Sequence, residues 1–74
     1  MKTYVTITIS SEGESASIIA ESFKELGFKS TLGTHDFVYE WKGKDIAPAQ
    51  VINFMDKVQA KLKGMNVLLN FTTL

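Results

Sequence analysis

Thr34-His35-Asp36-Phe37-Val38-Tyr39-Glu40-Trp41 is the stretch whose reading decides the fold. Aromatic residues alternate at 37, 39 and 41, directly after the single histidine of the chain. Alternation with period two is the signature of a strand with two distinct faces. Either Phe37, Tyr39 and Trp41 face an interior and Val38 and Glu40 face outward, or the reverse. Each aromatic buries roughly 150–250 Å². At about 25 cal/mol per Å², three of them inward outweigh three in water by on the order of 10 kcal/mol. The reverse assignment also buries Glu40, which costs several kcal/mol unless the carboxylate is paired or protonated. The strand Phe37 to Trp41 is therefore expected to face its aromatics inward.

The flanks extend this reading. Phe28 to Leu32 reads as a short preceding strand and Gly33 to Asp36 as the turn between the two. If Gly33 opposes Asp36, then Leu32 faces Phe37, Ser30 faces Tyr39 and Phe28 faces Trp41. Lys29 then faces Glu40 on the outer side, an opposite-charge cross-strand pair. Thr34-His35 is a poor sequence for a two-residue primed turn, so a different four-residue geometry is expected there.

Further out, residues 3–10 alternate and are rich in β-branched types, with Val5, Ile7 and Ile9 on one face and Tyr4, Thr6 and Thr8 on the other. Ser11-Glu12-Gly13-Glu14 matches a capping box, with Ser11 as N-cap and Glu14 at N3. Ala16, Ile19, Ala20, Phe23 and Leu26 follow at helical spacing, and Gly27 reads as the stop. After the polar connector Lys42-Gly43-Lys44-Asp45, Pro48 suits the first turn of a second helix. Val51, Met55, Val58 and Leu62 form its apolar face, widened by Ile52 and Phe54, and Gly64 ends it. Met65 to Thr72 reads as a last strand with Val67, Leu69 and Phe71 inward.

The order is β-α-β-β-α-β, without linker or repeat, so residues 1–74 are one domain. Right-handed crossovers on one sheet lead to an α+β, ferredoxin-like sandwich: a four-stranded antiparallel sheet of order 4-1-3-2 with both helices on one face. Its open face carries Tyr4, Thr6, Thr8, Lys29, Thr31, Val38, Glu40, Asn66, Leu68, Asn70 and Thr72. That surface is flat, rich in threonine and poor in charge, which suggests a cover. A second copy of the chain is the simplest one.

Composition removes several functions. Seventy-four residues bury only about 60% of the unfolded surface, so stability is thin and association helps. There is no cysteine for a disulfide or thiolate site, and one histidine is a poor start for zinc, so no metal and no cofactor is expected. Lys plus Arg is 8, Asp plus Glu is 8, and every base is lysine. Without the guanidinium fork, nucleic acid is disfavoured as a partner. No apolar run reaches transmembrane length, and the first residues alternate rather than form an apolar leader, so no membrane role and a cytoplasmic location are expected.

Candidate chemistry is sparse. His35 beside Asp36 could act as a tuned general base, but Asp and Gly are ordinary turn residues, and neighbours on an extended segment face opposite ways. Tyr39 and Trp41 could line a ligand cavity, or form plain core. Tyr4 and Glu40 could meet a ligand or partner on the open face. Lys57, Lys61 and Lys63, with Lys42 and Lys44, could form a basic patch, though a solvated helix end explains them. The start of the first helix could hold an anion, but two nearby glutamates oppose it. Phe37-Val38-Tyr39 is similar to the Phe-Val-x-aromatic end of the RNA-recognition signature. Its last aromatic is Glu40 here, and its stacking residues belong on the open face. Tyr4, His35, Asp36 and Glu40 are the candidate binding residues, and no catalytic set is assigned.

Thr31-Leu32-Gly33-Thr34-His35-Asp36-Phe37-Val38 resembles the core of GYD-type ferredoxin-like domains, in which Thr-Leu-Gly-x-Tyr-Asp leads into a hydrophobic strand. The close, Val67 through Thr72-Thr73-Leu74, is similar to that pattern's last strand. The likeness spans about the last two-thirds of the chain, and His35 stands where the family has tyrosine. What the resemblance implies is the architecture of the dimeric α+β barrels, two sheets packed face to face, and no particular activity. The resulting expectation is a small homo-oligomeric binding or regulatory module acting through its open sheet face, a homodimer with room for a small-molecule ligand. The alternatives are a cofactor-independent dimeric-barrel enzyme using His35, Asp36 and Tyr39, or an adaptor that pairs a partner strand with the edge of the second or fourth strand.

Overall fold

A computed structural model describes residues 1–43 and 45–74. The chain runs β1 (Lys2–Ile9), α1 (Ala16–Glu25), β2 (Lys29–Ser30), β3 (Phe37–Glu40), α2 (Pro48–Leu62) and β4 (Val67–Thr73). The sheet order is β2-β3-β1-β4, which is the expected order read from the opposite edge. All three pairings are antiparallel. The class is α+β, as the alternation of strand and helix periods requires.

Inward residues of every layer meet in one core. β1 supplies Val5, β3 supplies Phe37, α1 supplies Ile19 and Phe23, α2 supplies Val58 and Leu62, and Phe28 closes the end. Both helices therefore cover the same face of the sheet. The aromatics of the third strand point inward as their energetics demand. Phe37 stacks on Phe23 at 4.6 Å, and Tyr39 packs on Phe54 at 4.3 Å. Trp41, one residue past β3, meets Phe54 edge-on at 5.3 Å.

Three local expectations are corrected. The first helix does not start at Ser11. Its N-cap is Ser15, whose hydroxyl accepts the Ile18 N–H at 3.4 Å. Residues 11–14 are committed elsewhere: Glu14 donates its N–H to the Met65 carbonyl at 3.1 Å, across to the approach of β4. Gly13 lies so close to that segment that a Cβ there would sit 2.6 Å from both the Asn66 Cβ and the Met65 oxygen. A tertiary contact wins over a local capping motif.

The hairpin register is the second correction. Lys29 pairs with Val38 and Ser30 with Phe37, two residues away from the expected alignment. The shift is even, so no side chain changes face. It extrudes Leu32, which is 99% exposed, into the loop. It also sets Phe28 against Tyr39 at 5.5 Å and Phe54 at 5.6 Å, so that Phe28 is buried. Glu40 loses Lys29 and faces Lys2 of β1 instead, with a charge separation of 3.9 Å. The second strand shrinks from Phe28–Leu32 to Lys29–Ser30.

Third, Ile52 does not widen the core face of α2: it is exposed, while Phe54 packs inward. That helix starts at Pro48 as its fixed φ favours, with the Gln50 side-chain oxygen accepting the Ala47 N–H at 2.8 Å. Gly27 and Gly64, at φ +96° and +87°, follow the two helix ends. Lys44 of the connector lies outside the described residues.

Candidate functional site

The open face of the sheet is built from alternate residues of four strands. Tyr4 of β1 is flanked by Val38 of β3 and Thr72 of β4. One step along β1, Thr6 lies beside Asn70, and the next residue of that face, Thr8, lies beside Leu68. At the other end Lys2 lies beside Glu40. Lys2 thus joins the face, and Asn66, which precedes β4 at φ +61°, does not belong to the ladder.

The loop after β2 brings His35 onto this surface. Its ring lies 4.8 Å from the Tyr4 ring at 31°, and its Nδ1 shares a 3.2 Å hydrogen bond with the Thr6 hydroxyl. Two of the four candidate residues, Tyr4 and His35, are therefore in contact. Both are half-buried, which for the middle of a single open sheet reflects the way they cover each other.

Asp36 turns into the plane of the sheet rather than toward His35. Its carboxylate accepts the Ile7 N–H at 2.8 Å, and its own N–H donates to the Val5 carbonyl at 2.9 Å. β1 pairs with β3 only as far as Val5, so the Ile7 N–H has lost its neighbouring strand there. Asp36 supplies the missing acceptor. Its role is to finish the ladder, and it does not orient the imidazole. Glu40 sits away from the pair, in its exposed contact with Lys2. The four candidates thus resolve into an aromatic pair, a strand terminator and one member of a surface ion pair.

Other readings find their places. The space beneath β3 is occupied by aromatic rings: Tyr39, Trp41 and Phe54 lie within 4.3–5.3 Å of one another. The Trp41 indole N–H donates to the Thr3 hydroxyl at 2.8 Å. That hydroxyl in turn bonds Thr73 at 2.9 Å, so a short polar chain links β3, β1 and β4. Lys61 pairs with Glu25 at 2.9 Å and ties α2 to α1, while Lys57 and Lys63 stay exposed. Among the described residues, no group of three His, Asp or Glu side chains is placed to hold a metal ion, and no helix is long and apolar enough to cross a membrane.

One feature lay outside the sequence reading. A groove of about 830 Å³ lies at one end of the sheet, between the last turns of α2, the end of β1 and the start of β4, with Ile9, Gln59, Ala60, Val67 and Leu69 in its walls. A run of seven strand residues without charge, in the strand that the order 4-1-3-2 sets at a sheet edge, is the signal that points to it.

No protein-family model matches the chain, and neither the curated proteins nor the solved structures contain one found to be similar to it.

Proposed function

We propose that the chain is a small cytoplasmic binding or regulatory module that pairs with a second copy of itself through the open face of a ferredoxin-like sheet. The observation that carries this is the make-up of that face. Tyr4, His35 and Val38 form a weakly polar centre, Leu68 stands 73% exposed toward the Thr8 end of the same face, and Lys2 and Glu40 largely cancel each other at the other end. Such a surface gains by losing water and has little charge to desolvate. The sequence likeness to face-to-face dimeric domains supports the same arrangement.

The size of the face sets the strength. Strands of eight, two, four and seven residues, at about 3.3 Å per residue and about 4.8 Å spacing, give a footprint of about 330 Å². A standard interface takes about 800 Å² from each partner. The dimer is therefore weak and reversible. His35 and Asp36 bond to Thr6 and Ile7 rather than to each other, which favours binding over catalysis.

Sedimentation or light scattering across the micromolar range tests this. Mass is expected to rise toward twice the chain mass with concentration. Val38→Lys, which places a charge at the centre of the face, is expected to move that rise at least tenfold higher in concentration. A strict monomer, or a variant whose curve overlays the parent's, would overturn the proposal.

A further inference from the structure

The two edges of the sheet are built to different rules. β2 offers two residues, one of them a lysine, before the chain leaves for the loop. That is a blunted edge. β4 offers seven, Val-Leu-Leu-Asn-Phe-Thr-Thr, with no charge, no proline and an unbroken alternation. Its inward residues Val67, Leu69 and Phe71 remain only half-buried. The groove beside them is lined by Ile9, Gln59, Ala60 and Lys63, of which only the lysine is charged.

The free hydrogen-bonding groups of this edge follow from its inner pairing. Lys2 and Leu74 exchange both of their backbone bonds, at 3.0 and 2.9 Å. In an antiparallel ladder such pairs recur at every second residue. Thr72, Asn70 and Leu68 therefore direct their N–H and C=O toward β1. Thr73, Phe71, Leu69 and Val67 direct theirs to the outside of the sheet, and the groove adjoins the first part of this edge, Val67 to Leu69.

We infer that β4 is a second self-association surface, on which β4 of another copy pairs antiparallel about a two-fold axis at Asn70. That register sets Leu69 against Phe71 of the other copy and Val67 against Thr73, and each of these residues exchanges both outward bonds with its mate. On the inward side Leu69 meets Phe71, apolar against apolar, beside the groove that one copy leaves open, and Val67 meets Thr73, whose hydroxyl is already bonded to Thr3. On the open side Asn70 meets Asn70 and Leu68 meets Thr72, again without like charges opposed. A two-fold of this kind is isologous: one patch serves both partners and the assembly closes. A second copy fits because every requirement of the edge is met by the edge itself. The axis is perpendicular to the sheet, so both pairs of helices stay on one side and the two open faces stay coplanar. Edge pairing and face pairing therefore use separate surfaces and can coexist.

Amide hydrogen exchange of the intact chain, read by NMR as its concentration is raised to millimolar, separates this surface from the open face. Packing of side chains on the open face leaves the outward amides of β4 unbonded. Edge pairing is expected to slow exchange at Val67, Leu69, Phe71 and Thr73 at least tenfold with concentration. Leu68, Asn70 and Thr72, already bonded to β1, stay constant. The effect is expected to persist in Val38→Lys and to vanish in Asn70→Lys, where two exposed lysines would meet on the axis. Outward amides that exchange at one rate at every concentration, protection lost in Val38→Lys, or protection retained in Asn70→Lys would each overturn the inference.

Discussion

On the β3 side of the central strand, Phe37 is buried beneath Phe23, and Phe28, Tyr39, Trp41 and Phe54 interlock around it. On the β4 side, Val67, Leu69 and Phe71 lie against the same core and remain half-buried, the first two beside an open groove. Both helices send an aromatic side chain toward β3, Phe23 onto Phe37 and Phe54 onto Tyr39, while the groove beside the start of β4 is walled on the helix side by Gln59, Ala60, Leu62 and Lys63. A 74-residue chain has apolar volume enough to complete one side of its sheet. The contrast separates the part that holds the fold from the part left for association.

The sharpest test of this contrast compares two phenylalanines in dilute solution, where association is absent. Phe23→Ala removes a fully buried ring with partners at 4.6 and 5.2 Å, and is expected to cost about 3–5 kcal/mol. In so small a domain that leaves little folded protein, read as loss of the cooperative urea transition. Phe71→Ala, from a half-buried site, is expected to cost about 2 kcal/mol. Equal costs would break the distinction between the two sides. Next comes Gly13→Ala, which forces a methyl against Asn66 and Met65 at the entry to β4. It is expected to cost about 1–3 kcal/mol by overpacking, with β4 amides losing the most protection. Asp36→Ala removes the acceptor of the Ile7 N–H at a solvent-accessible place, so water can substitute, and about 1 kcal/mol is the expected loss by chemical denaturation. The smallest effect is expected at Leu32→Ser. A leucine 99% exposed contributes within about 0.5 kcal/mol, and a larger loss would mean that the loop is covered in solution.

The inward direction of Phe37, Tyr39 and Trp41 was legible because one alternation carried a large difference in burial energy. The strand order followed from connectivity, since two helical crossovers on one sheet leave few arrangements. What the sequence concealed was set by contacts between distant residues. Ser11 to Glu14 has the letters of a capping box, yet Glu14 bonds to Met65, more than fifty residues away, and the helix starts a turn later. Leu32 seemed placed opposite Phe37, but Asp36 is anchored to Val5 and Ile7 of β1, and that anchor moves the hairpin by two residues. Of the candidate site, Tyr4 and His35 come together because the six-residue loop between β2 and β3 folds over β1. No local pattern encodes that contact: the alternation of β1 sets Tyr4 on the open face, while His35 reads only as a turn residue. The edge of β4 was readable as an uncharged strand, while the half-covered groove depends on where α2 directs its longer side chains.

The paired bonds between Lys2 and Leu74 have a consequence for the order in which the molecule can form. β1 and β4 make the most extensive pairing in the sheet from segments at opposite ends of the chain. The central strand must therefore wait for the last one, a high contact order that slows folding. Because residues 2 and 74 are already neighbours, a short hairpin linker can join them, and the exposed loop at Leu32–Gly33 can be opened instead. Such a circular permutant turns the most distant contact into the most local one. It is expected to refold faster than the parent in stopped-flow measurements while keeping the same sheet.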